Sequence, residues 1–225
     1  MTRVFLPVLM ISFLAGCKKE DKFFVKDGTN AAENVKPMVA ADDVYYFKAI
    51  INGQTISWVV PAGGKQGAYE SRSVYTVSQL SDDCTDNLCR YFLANTVISS
   101  KNSTGIPQIT AGFNIATKNA DKKDLQSWFE PGIKVFGTPR STIADVVKNG
   151  VFIYYIDSDK KEWVSHFGSG DQSGSFFESV DLTNGTQVNE GSVQKRWKAR
   201  FSCKLYSREG KSISVENGEI YGPVL

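Results

Sequence analysis

Residues 195–215 read KRWKARFSCKLYSREGKSISV, and the alternation in this stretch decides the fold. Successive side chains of a strand point to opposite faces, so Trp197, Ala199, Phe201, Cys203 and Leu205 share one face. Lys198, Arg200, Ser202 and Lys204 share the other, and Lys198 and Arg200 are expected to stand free in solvent. A slip of one residue would turn all five inward residues out, which makes the register strongly specified. Glu209-Gly210 turns the chain, and Val193 to Ser207 is expected to pair with Lys211 to Val215. The outward side carries a basic stripe, extended by Lys195 and Arg196. Glu190 and Glu209 flank it, and 26 basic against 24 acidic residues leave a net charge of only +2, so no nucleic-acid partner is expected.

The same period of two recurs along the chain. Val44 to Ile51 and Thr55 to Val60 are joined by Asn52-Gly53, a pair that tolerates the positive φ of a tight hairpin turn. Ser73 to Gln79, Arg90 to Ser99, Ile106 to Thr117, Gly150 to Asp157, Glu162 to Phe167 and Ser175 to Val180 read as further strands, and the region of Ile220 reads as a last edge strand. Thr110, Gly112 and Asn114 give the strand from Ile106 a small, polar side that suits a sheet packed on one face. Two short helices are predicted. One follows Asp121 and Asp124 and carries Leu125, Trp128 and Phe129 before Pro131-Gly132; the other is Thr142 to Lys148, with Ile143, Val146 and Val147 on one stripe. About ten strands with Gly, Asn and Asp turns predict an all-β domain, an antiparallel β-sandwich or jelly roll with two short helices, with a closed antiparallel β-barrel as the alternative.

Ahead of this domain the character is different. MTRVFLPVLMISFLAGC sets one arginine before an apolar run much shorter than the roughly 20 residues that span a bilayer. Its Leu14-Ala15-Gly16-Cys17 tetrad is similar to the lipobox of bacterial lipoproteins. That resemblance implies a signal at residues 1–16 that is cleaved, lipid on Cys17, and a membrane partner through that lipid. Residues 17–43 read as the lipidated cysteine and a tether, and 44–225 as a single β-rich domain. Lys18-Lys19-Glu20-Asp21 resembles the region after the cysteine in surface-exposed lipoproteins of the Bacteroides and Flavobacterium type, which implies an outer-membrane, lipid-anchored protein exposed at the cell surface. The stretches FKAIINGQTISW (47–58) and FSCKLYSREGKSISVENGEIYG (201–222) resemble the opening hairpin and closing strands of envelope lipoproteins from Bacteroides and related bacteria. That likeness implies an anchored β-sandwich and carries over no catalytic residue.

In an exported chain Cys84 and Cys89, four residues apart, are expected to close a small disulfide loop contributing about 2 kcal/mol. Cys203, in the inward phase of its strand, is expected to stay a reduced, buried thiol; the rival pairing joins it to one of the loop cysteines. Neither this spacing nor Asp82, Asp83 and Asp86 matches a zinc or calcium loop, and no metal or other cofactor is expected. His166 is the single histidine, and it is expected on a hairpin edge with a partly solvated ring. Asp171 and Ser173 lie near it in a Gly-Ser-rich loop without the spacing of a catalytic set. Glycan hydrolysis would need a carboxylate pair, for which Asp157 and Glu162 are candidates. The favoured reading is a non-catalytic protein that binds a ligand, a carbohydrate or a protein, on aromatic side chains, with Trp128, Trp163, Tyr45 and Tyr46 as the candidates. The alternative is an accessory component docked on an outer-membrane protein.

Overall fold

In the computed structural model the described residues are 44–61, 67–79, 90–117, 122–139, 147–189 and 192–224. The alternating stretches form strands β1 (Tyr45–Ile51), β2 (Gln54–Val60), β3 (Tyr69–Gln79), β4 (Arg90–Ser100) and β5 (Gln108–Thr117). Helix α1 (Lys122–Phe129) and the short strands β6 (Gly132–Ile133), β7 (Thr138–Pro139) and β8 (Val147–Lys148) follow. Strands β9 (Gly150–Ile156), β10 (Glu162–Val164), β11 (Phe176–Asn189), β12 (Ser192–Tyr206) and β13 (Ser212–Val224) complete the order.

All but β7 and β8 belong to one antiparallel sheet in the order β2-β1-β13-β12-β10-β9-β5-β4-β3, with β11 branching from β12 and carrying β6. The two ends of the sheet approach each other. Trp58 on β2 stacks on Tyr69 on β3 with centroids 5.1 Å apart and 14° between the rings. The molecule is therefore all-β, a sheet that nearly closes on itself as a barrel, which is the closed alternative rather than two facing sheets. Near-closure suits a chain of long hairpins because it brings together edges that would otherwise lie far apart and open, here through side chains of β2 and β3.

The inward phase of β12 is as the alternation requires: Trp197, Ala199, Phe201 and Leu205 are inaccessible and Cys203 nearly so. They meet Phe47 and Trp58 from the first hairpin, Phe113 and Ile153 from β5 and β9, and Phe177 from β11 in one core. Phe177 stacks on Phe201 at 5.6 Å and on Trp197 at 5.7 Å.

Three local expectations are corrected. The stretch around Ile220 is no edge: it belongs to β13, which lies between β1 and β12, with Ile220 opposite both Phe47 and Ala199. The predicted helix Thr142 to Lys148 ends instead as strand β8, paired with β7; its residues 142–146 lie outside the described residues. The small side of β5 is buried rather than solvated, with Thr110 at 0% and Asn114 at 8% exposure, so this part of the sheet is packed on both faces.

Candidate ligand-binding site

Of the four aromatic candidates, the fold places two out of reach. Tyr45 is in the core phase of β1 at 2% exposure, and Trp163 is 8% exposed in the core phase of β10. Trp163 has a structural duty as well: its indole N–H donates to Asp157 Oδ2 at 3.0 Å, and Lys161 Nζ sits 4.4 Å from its ring centroid. The expectation of exposure at these two positions fails because the pairing of β1 with β2 and of β10 with β9 turns both rings to the core side of the sheet. Trp128 and Tyr46 stay half-buried.

Trp128 forms a wall of a cleft of about 450 Å³ whose other lining residues include Phe113, Ser127, Ile133, Lys134, Val135 and Asn149. The cleft is built on a strap, residues 132–137, that follows α1 and lies between β11 and β9. Lys134 N–H donates to the Phe177 carbonyl, Val151 N–H to Val135, and Gly137 N–H to Val151, each at 2.9 Å. Period two along the strap turns Phe136 into the core and leaves Ile133 72% and Val135 79% exposed. Gly150 is required beneath it: a Cβ there would come within 2.5 Å of the Gly137 nitrogen and 2.7 Å of the Val135 oxygen. The end of α1 is fixed by Ser179, whose hydroxyl donates to the Phe129 carbonyl and accepts from the Trp197 indole at 2.7 Å. Trp128 is thereby held against Phe113, with ring centroids 6.0 Å apart. Burial lowers the Lys134 ammonium from its ordinary range, against the opposing pull of Glu130.

Tyr46 lies on the wetter side of β1 and reaches Glu219, a lining residue of a second concavity. Its hydroxyl donates to Glu219 Oε1 at 2.5 Å, and Lys198 Nζ lies 3.3 Å from Glu219 Oε2. Burial would raise the Glu219 carboxyl, but the hydrogen bonds from Tyr46 and Lys198, together with the charges of Lys198 and Lys48, hold it below its ordinary value. Lys48 Nζ covers the Tyr46 ring at 4.7 Å. One strand over, Arg200 pairs with Glu178 at 2.8 Å. Phe176, Glu178, Arg200, Asn217, Gly218 and Glu219 line a trough of about 500 Å³. Lys198 and Arg200, expected free, are therefore both ion-paired.

The residues weighed for catalysis serve the framework. Asp157 Oδ1 accepts the backbone N–H of Asp159 and Lys161, closing the hairpin turn. Glu162 accepts from the Tyr154 hydroxyl at 2.9 Å and faces Arg208 at 3.6 Å. His166 is not solvated but 2% exposed, edge-on to Phe167 at 5.5 Å. Asp171 accepts from Ser173 N–H and pairs with Lys204. Among the described residues no three His, Cys, Asp or Glu side chains are grouped to hold a metal ion, and no helix is long and apolar enough to cross a membrane.

No family model, curated protein or solved structure matches this chain. The site rests on its own geometry. Cys17 and the Cys84–Cys89 pair lie outside the described residues; Cys203 is a free, buried thiol, raised well above its ordinary range by burial. Sequence reasoning missed Ile133 and Val135, although the alternation in GIKVFG after Pro131 carries their signal. It placed Arg200 outward but had no means of finding its partner Glu178 across the sheet.

Proposed function

We propose that this is a non-catalytic binding protein of the outer membrane, held there by lipid on Cys17, whose Trp128 cleft takes an acidic sugar of a glycan. The observation that carries the reading is a half-buried indole set in one cleft with a partly desolvated ammonium, Lys134. An indole face stacks on the C–H face of a pyranose, Lys134 neutralises a carboxylate, and Ser127 and Asn149 bring polar atoms to the same cleft. The lipobox supports the anchor: several acyl chains on one residue, at about 0.8 kcal/mol per buried methylene, give stable attachment.

Trp58, Trp163 and Trp197 are buried, so Trp128 is the tryptophan that solvent reaches. Acrylamide is expected to quench one component of the fluorescence, absent in Trp128→Phe, and an oligogalacturonate is expected to protect that component. Lack of protection at millimolar oligogalacturonate would overturn the ligand assignment. Intact mass of membrane-extracted protein tests the anchor separately: a mature chain beginning at Cys17 with added acyl mass is expected, and Cys17→Ser should carry none.

A second reading, an accessory component on a protein partner, is favoured by the exposure of Ile133 and Val135 beside the cleft. An Ile133→Ser, Val135→Ser variant that loses a cross-linked membrane partner while still binding oligogalacturonate would select it.

A further inference from the structure

We propose that the trough between β11, β12 and β13 is a second binding site, for a neutral sugar, distinct from the Trp128 cleft in its chemistry. Cross-strand register sets Glu178, Arg200 and Glu219 in one row, since Arg200 lies opposite Glu178 on β11 and Glu219 on β13. Acceptor, donor and acceptor thus stand one strand apart, about 4.8 Å at the backbone. Each charge of the row has a partner of opposite sign: Arg200 is matched by Glu178, and Glu219 by Lys198, with Lys48 opposite Glu219 on β1. An anionic or cationic ligand would meet a carboxylate or a guanidinium of its own sign in this row. A sugar hydroxyl, which both donates and accepts, can bridge a guanidinium and a carboxylate without leaving either charge unpaired.

The rest of the trough suits the same ligand. Phe176 is 44% exposed at its edge and offers an apolar face for the C–H side of a pyranose. Asn217, with φ of 51°, turns over the floor at a bulge, and its N–H is held by the Ser202 hydroxyl at 3.2 Å. Gly218 forms the floor because nothing larger fits: a Cβ would lie 2.6 Å from the Phe201 ring. Phe201 backs this floor and is itself stacked between Phe47 and Phe177 in the core. The outer face is set as well, with Glu219 held by Tyr46 and Lys198. A surface ion-pair ladder needs neither the exposed ring nor the concavity.

The test is saturation-transfer NMR and calorimetry on the full chain in a detergent without a sugar headgroup, using malto-, cello-, manno- and chito-oligosaccharides as probes. At least one is expected to saturate the protein, with affinity reduced at least tenfold in Phe176→Ala and in Arg200→Gln, both of which alter exposed side chains and should keep the wild-type melting transition. Failure of all four series to saturate, or binding unchanged in both variants, would overturn the proposal.

Discussion

Gly112 on β5 lies opposite Asn95 on β4, and a Cβ there would come within 2.3 Å of both the Asn95 Cβ and the Ala94 carbonyl. Backbone cannot yield as a flexible side chain does, so the two strands would have to separate in a part of the sheet that is buried on both faces. Gly112→Ala is expected to cost about 1–3 kcal/mol, read as a lowered urea midpoint with unchanged slope. A neutral result would mean that β4 and β5 can separate at Gly112 without cost, against the close apposition of the two strands. Cys203 makes the complementary point about chemistry. Its burial and its raised thiol predict no reaction with a maleimide in the native protein and full reaction in urea, with intact mass as the readout.

At the scale of one element, β12 separates the two faces of the barrel. Phe201 is inaccessible and stacked on Phe47 and Phe177 with ring angles of 12° and 9°. Phe201→Ala removes that contact and leaves a cavity, and is expected to cost about 3–5 kcal/mol. Lys198, one face away, has 32% of its side chain exposed in an ion pair with Glu219, and Lys198→Ala is expected to cost at most about 1 kcal/mol. Urea unfolding of the two variants compares them directly. If Lys198→Ala were the more damaging, the inside and outside of the strand would be reversed.

The whole molecule carries its tyrosines as a pH liability. Burial, with smaller help from Asp157, pushes the Tyr155 hydroxyl up to about 12, and burial together with Glu162 raises Tyr154 further. A phenol raised in the folded state favours folding fully below its ordinary value of 10.0, and that contribution is lost as pH rises through the folded value. Stability is therefore expected to fall between pH 10 and about 12, in step with the unfolded chain's tyrosines ionising. Glu219 works in the opposite direction: its lowered carboxyl favours folding above its ordinary 4.5 and loses that effect as pH falls through the folded value. Thermal melts across both ranges, repeated with Tyr155→Phe, measure the alkaline part. The Phe variant should flatten it.

Alternation by itself determined the class of the fold and the two faces of β12, because side-chain direction in a strand is a local property of the backbone. Asn52-Gly53, with φ of 49° and 80°, was legible for the same reason. Closure of the sheet was not, since it depends on β2 meeting β3 and on β13 passing between β1 and β12, and the pairing of distant strands leaves no local mark. The candidate site divided along the same line. Trp128 was legible from the stripe of a short helix, whereas the burial of Tyr45 and Trp163 depended on which way their hairpins faced. Ile133 and Val135 joined Trp128 only through a strap hydrogen-bonded to β11 and β9, and Glu178, Arg200 and Glu219 became a row only through the register of three strands. Tertiary structure decided these arrangements because each is a contact between residues that only the closing of the sheet brings together.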